Sequence, residues 1–465
     1  MADTEKLRDT LLMKRTNGYE RISGAEVAQL NDYCEGYKVF LNRGKTEREA
    51  AEAAEVMIRS AGYLPYERGM TLKPGDRVYA MNHGRAIAAA IIGNESMNNG
   101  AWITAAHIDS PRLDLKPYPL YEESDMAFFK THYYGGIRKY QWVTIPLELH
   151  GIVVKKNGET VKINLGGRED EPAFVITDLL PHLSKDQNTK PLSTAFSGEN
   201  LNVLVGGVPY CDEGSDKVKL AVMSLLNERY DICEEDFLSA ELSLVPSGPS
   251  RDIGFDASFV GAYGQDDRVC AYTTLTALLE MKDTPKKTCV CILADKEEIG
   301  SEGVSGMQSE WYDTFFANLC ASTASDLRTC YEHSICLSAD VGAAYDPNYG
   351  EVYDKRNSAL ANGGAILMKY TGAGGKSSSN DATPELIAKI RRVFDENNVI
   401  WQMGELGKVD QGGGGTVAKY MASRNIDTVD IGVPVMAMHA PFEITAKLDV
   451  YMMYRASKAF FALEK

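Results

Sequence analysis

The sequence lacks the features by which several classes of protein are recognised. It contains no run of about 18 apolar residues, the length that a membrane-spanning helix needs. Its first residues, MADTEKLRDTLLMKR, mix charges of both signs where a secretory signal has an uninterrupted apolar core. No internal repeat of fixed period is visible either. These absences disfavour membrane insertion, export and a repeat architecture.

Cysteine pairs with metal-binding spacing are also missing. The nine cysteines are scattered without a CxxC pair, and an odd number does not fit a disulfide framework. Cys289 and Cys291 alternate with apolar residues in TCVCILA, a pattern typical of buried thiols on a strand. We therefore expect a reducing, cytoplasmic location.

Positive charge is scarce relative to negative charge. The chain has 49 lysines and arginines against 65 aspartates and glutamates, for a net charge of -16. Nucleic acids and anionic membranes carry the same sign, so neither is expected as a partner. The 44% hydrophobic content is enough to bury two cores, which a length of 465 residues favours.

The pattern of predicted secondary structure changes twice along the chain. Strand-helix alternation after residue 251 predicts a layered α/β domain with a largely parallel or mixed central sheet. Residues 115–250 read instead as successive strands with turn signals, which predicts an inserted β-rich domain. We therefore divide the chain into a first part of the α/β domain (1–114), the insertion (115–250) and the second part of the α/β domain (251–465).

Local signals predict individual elements within these segments. Thr46 and Glu49 form a capping-box pattern at the start of a helix, and Pro384 suits the first turn of another. Asn157-Gly158 is a strong hairpin signal. The remaining predictions are a hairpin from strands 78–81 and 86–92, strands at 101–107, 142–149, 288–294, 334–339, 400–403, 428–431 and 435–438, and helices at 268–282 and 443–463.

Acidic or histidine side chains follow the apolar strands repeatedly. Because functional groups of α/β sheets gather beyond the carboxyl ends of the strands, residues distant in sequence are expected to converge there. A single acidic pair, such as Glu297-Glu298, is by itself typical of a solvated surface. The recurring segments are His107-Ile108-Asp109, Asp266-Asp267, Glu297-Glu298, Ser338-Ala339-Asp340 and Met438-His439.

Two imidazoles with several carboxylates form a ligand set that suits zinc, with cobalt and manganese as alternatives. One zinc ion needs fewer ligands than this, whereas two ions about 3.5 to 4 Å apart need a bridging carboxylate and terminal ligands for each. Asp109 is placed to orient His107 or a catalytic carboxylate. The isolated histidines His83, His132, His150 and His333 are expected to be structural.

Three other segments resemble parts of functional motifs. Gly375-Lys376-Ser377 resembles the end of a phosphate-binding loop, but Tyr370 stands where that motif requires glycine. Ser301 and Ser305 lack the GxSxG frame of a serine nucleophile. The run of glycines at 412–415 predicts either an anion site at a helix beginning at Thr416 or a flexible turn.

The chain resembles the aspartyl aminopeptidase family of dizinc metallopeptidases over nearly its whole length. The segments that carry the resemblance are AAHIDSPRLDLKP, YGGI before WVTIPLEL, DKEEIGSEG, SADVGAA and VPVMAMHAPFEITAKLD. The resemblance implies that Asp266 bridges two metal ions, that His107 and Asp340 complete the ligands of one ion, and that Glu298 and His439 complete those of the other.

The resemblance also assigns roles outside the metal ligands. It implies that Glu297 is the general base, which takes a proton from water and returns one to the leaving amine. It implies that the inserted domain forms dimers, that these build dodecamers, and that a histidine of the insertion stabilises the oxyanion in the partner's active site. The matching segment VITDLLPHL makes His182 the candidate for this last role.

This chain departs from the family pattern at two places. The bridging aspartate lies in Gln265-Asp266-Asp267-Arg268 instead of an LDN-like segment, and residues 412–416 replace a cysteine-glycine-serine-threonine segment expected near substrate. The second departure bears on a preference for amino-terminal Asp or Glu, for which Lys376 and Lys408 are the candidate cations.

The sequence therefore predicts a metalloaminopeptidase that acts on short peptides. One alternative is a two-metal carboxypeptidase or amide deacylase, which needs a cation placed for a free carboxylate. Another is a catalytically silent assembly or cargo protein on the same fold. Retention of Glu297 together with all the proposed ligands favours the enzyme, because a silent protein has no chemical need for the base.

Overall fold

A mixed nine-stranded sheet forms the centre of the computed structural model, which describes residues 2–211 and 213–464. The helices are α1 (Ala2–Leu11), α2 (Gly24–Arg43), α3 (Glu47–Ser60), α4 (Leu192–Ala195), α5 (Lys217–Tyr230), α6 (Gln265–Leu279), α7 (Trp311–Ser322), α8 (Leu327–Glu332), α9 (Ala373–Lys376), α10 (Pro384–Glu396), α11 (Ala418–Ala422) and α12 (Lys447–Phe461). The strands are β1 (Leu64–Pro65), β2 (Arg77–Asn82), β3 (Ala86–Ile91), β4 (Ala101–His107), β5 (Arg112–Glu123), β6 (Met126–Tyr134), β7 (Leu147–Val154), β8 (Thr160–Leu165), β9 (Val175–Ile176), β10 (Val203–Gly206), β11 (Ala240–Pro246), β12 (Arg251–Ile253), β13 (Phe259–Ala262), β14 (Thr288–Ala294), β15 (Ile335–Ala339), β16 (Gly342–Ala343), β17 (Ala365–Met368), β18 (Trp401–Met403), β19 (Asp427–Gly432), β20 (Pro434–Met436) and β21 (Glu443–Ala446).

The central sheet has the strand order β1-β2-β3-β14-β4-β15-β19-β17-β18. Its middle strands β14, β4, β15 and β19 run parallel, so their carboxyl ends lie at one edge of the sheet. Strands β3 and β17 pair antiparallel with this group. The sheet is therefore mixed, and the predicted α/β class is confirmed.

Both faces of this sheet are covered, which explains why β4 and β14 are buried along their whole length. One apolar cluster joins the sheet to α2, α3, α6, α10 and α12. The other joins the opposite face to α7, α8 and α11. The sheet is thus the middle of three layers.

Helix starts follow the local signals. Thr46 and Glu49 form a complete capping box ahead of α3, and Thr383 caps α10 with Pro384 in its first turn. A second capping box, Ser23 with Glu26, begins α2, a helix that the sequence analysis did not identify. Strands β2 and β3 pair as the predicted hairpin.

A seven-stranded antiparallel sheet, in the order β8-β7-β11-β5-β6-β10-β9, is built from residues 112–246 and encloses an apolar cluster of its own. Asn157-Gly158 turns the chain between β7 and β8, as predicted. The strand predicted at 142–149 begins only at Leu147, because residues 142–146 have an irregular, bent backbone in which Thr144 has a φ of 58°. The division of the chain at residues 115 and 250 remains a prediction.

A third sheet, β12-β13-β21-β20-β16, corrects one prediction. The helix predicted at 443–463 begins at Lys447, because Glu443–Ala446 pairs with β13 and β20 as a strand. Tertiary pairing outweighs the helical pattern of the sequence here. Within the described residues no helix has the length and apolar character needed to cross a membrane.

Candidate metal centre

All five residues that the sequence analysis proposed as metal ligands lie together. His107 is the last residue of β4, Asp340 follows β15, and Glu298 lies in a single turn of helix just after β14. Asp266 stands before the regular part of α6, and His439 follows β20. The carboxyl-terminal edge of the parallel strands therefore collects side chains from five separate segments.

His107, Asp266 and Asp340 form one cluster. The His107 Nε2 lies 3.2 Å from Asp266 Oδ1 and 3.6 Å from Asp340 Oδ1. All three residues are buried, and one ligand atom from each falls within 4.8 Å of the others. This arrangement could hold a metal ion.

Asp266, Glu298 and His439 form the other cluster. The His439 Nε2 lies 3.1 Å from Asp266 Oδ2 and 3.4 Å from Glu298 Oε2. Asp266 thus turns one carboxylate oxygen towards His107 and the other towards His439. Its position between the two clusters is the one that a bridging ligand requires.

In both histidines the ring nitrogen that faces away from the clusters, Nδ1, contacts a backbone carbonyl oxygen, and this contact orients the ring. The His107 Nδ1 lies 3.0 Å from the carbonyl oxygen of Asp109, and the His439 Nδ1 lies 2.8 Å from that of Gly136. A carbonyl only accepts, so each Nδ1 carries the hydrogen and each Nε2 is left as a lone-pair donor. The rings therefore present the correct nitrogen for coordination.

Asp109 holds the paired glutamates by their backbone. Its carboxylate accepts hydrogen bonds from the N–H groups of Glu297 and Glu298 at 3.1 and 3.2 Å, and from the Tyr134 hydroxyl at 2.7 Å. Its Oδ1 also lies 3.2 Å from His107 Nδ1. Asp109 therefore fixes both the His107 ring and the turn that carries the acidic pair.

The charge balance of the clusters fits cations. Within the described residues, Asp266, Glu298 and Asp340 form no ion pair with lysine or arginine, and the buried Glu298 Oε1 has no hydrogen-bond donor. Burial followed by repulsion from Asp266 raises the pKa of Glu298 and of Asp340. Buried carboxylates in this state need a positive partner, and a mixed nitrogen and oxygen donor set suits zinc.

The surrounding carboxylates also shift the pKa values of the two histidines. Burial acts to lower the pKa of His439, but Asp266 and Glu298 more than offset it and raise this pKa to about 11. Likewise, Asp109, Asp266 and Asp340 overcome burial and raise the pKa of His107 well above its usual value. Both rings lie where positive charge is strongly favoured.

Glu297 adjoins the clusters without belonging to either. Burial, followed by the charge of Asp340, raises the pKa of its carboxyl group to about 8. An acid with a pKa near neutrality can both accept and release a proton at physiological pH. Its backbone N–H bond to Asp109 fixes the turn from which the side chain extends.

Two supporting side chains were not identified from the sequence. Tyr134 reaches Asp109 from β6 of the seven-stranded sheet, and Glu443 of β21 accepts hydrogen bonds from the backbone of Asp266 and His439. Both residues lie in segments that carry the family resemblance, Tyr134 in YGGI and Glu443 in VPVMAMHAPFEITAKLD. Their place in these segments was the signal in the sequence that could have identified them, since neither residue follows a strand of the central sheet.

Other predicted residues lie elsewhere. His182 is exposed in a single turn, Pro181–Leu183, and belongs to neither cluster. Lys376 is paired with Asp381 at 3.0 Å and lies over the ring of Tyr370. The helix expected at Thr416 begins at Ala418, and the Thr416 hydroxyl instead donates to Asp430 at 2.6 Å.

Comparison with known proteins gives a consistent result. The model of the family described as aminopeptidase I zinc metalloprotease (M18) matches residues 40–461. A probable M18 family aminopeptidase 1 from Clostridium acetobutylicum is 47% identical, over 97% of this chain and 98% of its own. The crystal structure of aminopeptidase I from that organism matches with a TM-score of 0.91 at 44% identity, covering 97% of this chain and 100% of that one.

Two further solved structures extend the comparison. The M18 aminopeptidase from Thermotoga maritima has a TM-score of 0.93 at 42% identity, and covers 97% of this chain and 99% of its own. A Saccharomyces cerevisiae mApe1 dodecamer has a TM-score of 0.73 at 19% identity, covers 92% and 95%, and shares the fold. On the family match and these identities, the chain belongs to the M18 family of zinc metalloproteases and is a zinc metalloaminopeptidase.

Proposed function

We propose that this protein uses two divalent metal ions per subunit to remove the amino-terminal residue from short peptides. The observation that carries the proposal is the position of Asp266, whose two carboxylate oxygens face His107 and His439 separately. A single carboxylate between two such clusters is the arrangement expected of a bridged pair of ions.

In this proposal one ion is held by His107, Asp266 and Asp340, and the other by Asp266, Glu298 and His439. Zinc is the metal we propose, with cobalt and manganese as ions that the same donors accept. When bound, such a pair supplies Lewis acidity at the scissile carbonyl and lowers the pKa of water. Glu298 Oε1 has no hydrogen-bond donor, and the carboxylates of the two clusters pair with no lysine or arginine within the described residues, which supports this loading.

Glu297 is the proposed general base. Its carboxylate takes a proton from the attacking water and then delivers one to the nitrogen of the leaving amine. The raised pKa of Glu297, caused first by burial, suits both transfers. Asp109 supports the exchange by holding the Glu297 backbone and the His107 ring in fixed orientations.

The proposed substrate class includes peptides with an amino-terminal Asp or Glu. Lys408 is exposed and its side chain forms no hydrogen bond or ion pair within the described residues, whereas Lys376 is neutralised by Asp381. Lys408 is therefore the candidate partner of an acidic side chain. A Lys408→Met variant that loses turnover of amino-terminal Glu but keeps turnover of Leu would support this assignment.

We further propose that His182 acts in a neighbouring subunit's active site and that dimers build a larger homo-oligomer, a dodecamer as in the yeast structure. Leu179, Leu180 and Leu183, which flank His182, and the nearby Leu192 are all exposed. Such a group of apolar side chains is typical of a subunit interface.

Turnover of aminoacyl-coumarin substrates tests the proposed function. Leu, Met, Asp and Glu substrates are offered to protein loaded with zinc, cobalt or manganese, before and after chelation, with acetylated substrates as the control. We expect hydrolysis only of substrates with a free amino group, lost on chelation. No turnover by protein carrying two ions would favour an assembly or cargo role, and release of carboxyl-terminal residues from blocked peptides would favour a carboxypeptidase.

A further inference from the structure

Glu443 is a buried acid outside both clusters. It is the first residue of β21, its exposed fraction is 1%, and within the described part of the chain it forms no ion pair with lysine or arginine. A buried carboxyl group without a cation must be satisfied by hydrogen bonds. The identity of its donors therefore indicates what the side chain stabilises.

The donors are the backbone N–H groups of two proposed ligands, Asp266 and His439, and of Gln265, which precedes Asp266. Glu443 Oε2 accepts from the N–H of Gln265 at 2.6 Å and from that of Asp266 at 3.1 Å, and Oε1 accepts from the N–H of His439 at 2.8 Å. Asp266 and His439 lie on different elements. One side chain thus fastens together two distant segments of the metal centre.

Both segments have irregular backbone that the carboxyl group stabilises. His439 has a φ of 65°, a left-handed conformation that a residue with a Cβ rarely adopts, and Asp266 lies outside the regular helix of α6. N–H groups at such positions cannot be satisfied by a continuing helix or strand. Their shared acceptor fixes how far apart Asp266 and His439 stand.

Glu443 is itself held in place. The Gln265 side chain donates to the carbonyl oxygen of Glu443 at 2.7 Å, and its own oxygen accepts from the hydroxyls of Thr445 and Tyr37 at 2.7 and 3.1 Å. The contacts leave the Glu443 side chain little freedom to turn away from its three donors.

We infer that Glu443 is a positioning residue that sets the separation of Asp266 and His439. It thereby determines how tightly the centre binds the ion held by Asp266, Glu298 and His439. The inference rests on the two-ion centre of the proposed function. Residues that orient metal ligands in this way typically change metal affinity by 10- to 100-fold when replaced. The ion held by His107, Asp266 and Asp340 should be affected less, because only one of its three proposed ligands, Asp266, contacts Glu443, whereas two ligands of the other ion do.

The test is Glu443→Gln, in which an amide donor replaces one of the two acceptor oxygens and faces a backbone N–H. The matched control is Asp449→Asn. Asp449 is also buried and accepts from the N–H groups of Asn362 and Gly364 at 2.8 and 2.7 Å, and among the described residues it pairs with no lysine or arginine and touches no proposed ligand. Cobalt is titrated against a competing chelator, with the visible spectrum and the thermal midpoint recorded for each protein.

We expect wild type and Asp449→Asn to bind two cobalt ions, and Glu443→Gln to bind the weaker ion at least about 10-fold less tightly with an altered cobalt spectrum. Unchanged affinity for both ions in Glu443→Gln would overturn the inference. Wild type that binds fewer than two ions would instead overturn the two-metal proposal. If Glu443→Gln does not fold, Glu443→Asp is judged by the same criterion, since its shorter side chain cannot reach both Asp266 and His439.

Discussion

The hydroxyl of Tyr134 donates a 2.7 Å hydrogen bond to the carboxylate of Asp109, which in turn accepts from the backbone of Glu297 and Glu298. Tyr134 belongs to β6 of the seven-stranded sheet, whereas the acidic pair follows a strand of the central sheet. The guanidinium of Arg112 lies 4.0 Å from the centre of the Tyr134 ring and holds it in place. A residue of one sheet therefore stabilises the turn of the other that carries Glu297, the proposed base.

Tyr134→Phe should lower kcat by about 10-fold with little change in KM, because the aromatic ring remains while Asp109 loses its only side-chain hydroxyl donor among the described residues. Steady-state kinetics with a Leu-coumarin substrate measures the effect. Tyr133→Phe is the control, since the Tyr133 hydroxyl forms no hydrogen bond within the described residues. Equal kcat values for the two variants would show that the Tyr134 hydroxyl is dispensable.

Glu297→Gln should reduce kcat by at least about 100-fold, because it removes the proposed base while keeping the shape of the side chain. Metal content, measured by atomic emission on the same sample, should stay at the wild-type value. Activity close to wild type would transfer the proton-moving role to another residue.

Asp266→Ala should reduce the metal bound per subunit, since this carboxylate faces both proposed ions. Equilibrium dialysis against buffered zinc measures the stoichiometry, and circular dichroism checks that the variant is folded. Two ions retained at wild-type affinity would contradict the bridging role.

His182→Ala should lower kcat by about 100-fold if the ring stabilises an oxyanion. The structure leaves His182 outside its own subunit's clusters, so the variant offers a complementation experiment. Co-expression of His182→Ala with Glu297→Gln should restore activity, because some active sites then combine an intact Glu297 with a partner's intact His182. Mixed oligomers without activity would exclude action between subunits.

His150 predicts a pH dependence of stability. Burial lowers its pKa, but Glu148 and Glu49 more than offset burial and raise it from 6.5 to about 9. Stabilisation by the charged ring is therefore complete below about pH 6.5 and is lost as the pH rises through 9. The shift corresponds to on the order of 3 kcal/mol between pH 6 and 10.

Thermal unfolding across this pH range measures the His150 contribution. Wild type should lose stability from pH 6.5 to 10 more steeply than His150→Gln, whose side chain does not titrate. Parallel curves for the two proteins would show that the ion pair between His150 and Glu49 does not stabilise the fold.

A simple topological rule accounts for three of the five proposed ligands, whereas the ligand roles themselves came from the family resemblance. Asp266 and His439 follow β13 and β20 of the third sheet, to which the rule does not apply. His107, Asp340 and the Glu297-Glu298 pair follow strands that run parallel, and parallel strands bring their carboxyl ends to one edge. The position of an apolar strand and of the polar residues that follow it can be read from the local sequence. The rule therefore needs no knowledge of the detailed packing.

The supporting residues could not be predicted in this way. Tyr134 contacts the centre from the seven-stranded sheet, and Glu443 contacts it through the pairing of β21 with β13 and β20 in the third sheet. No local pattern of the sequence encodes either contact. Glu443 was in addition assigned to a helix, because residues 443–463 read as one continuous helical pattern until strand pairing with β13 is known. The family resemblance marked the segments of both residues but not their contacts.

The contacts of Tyr134 and Gly136 limit how this enzyme can be shortened or recombined. A chain in which a short loop replaces residues 115–250 would keep each of the five proposed ligands, yet it would lose the hydroxyl that holds Asp109 and the carbonyl that orients the His439 ring. Such a minimal enzyme should bind metal loosely and turn over slowly. In chimeras between relatives, residues 134–136 should come from the same parent as residues 1–114 and 251–465, which contain the proposed ligands, so that these contacts are kept.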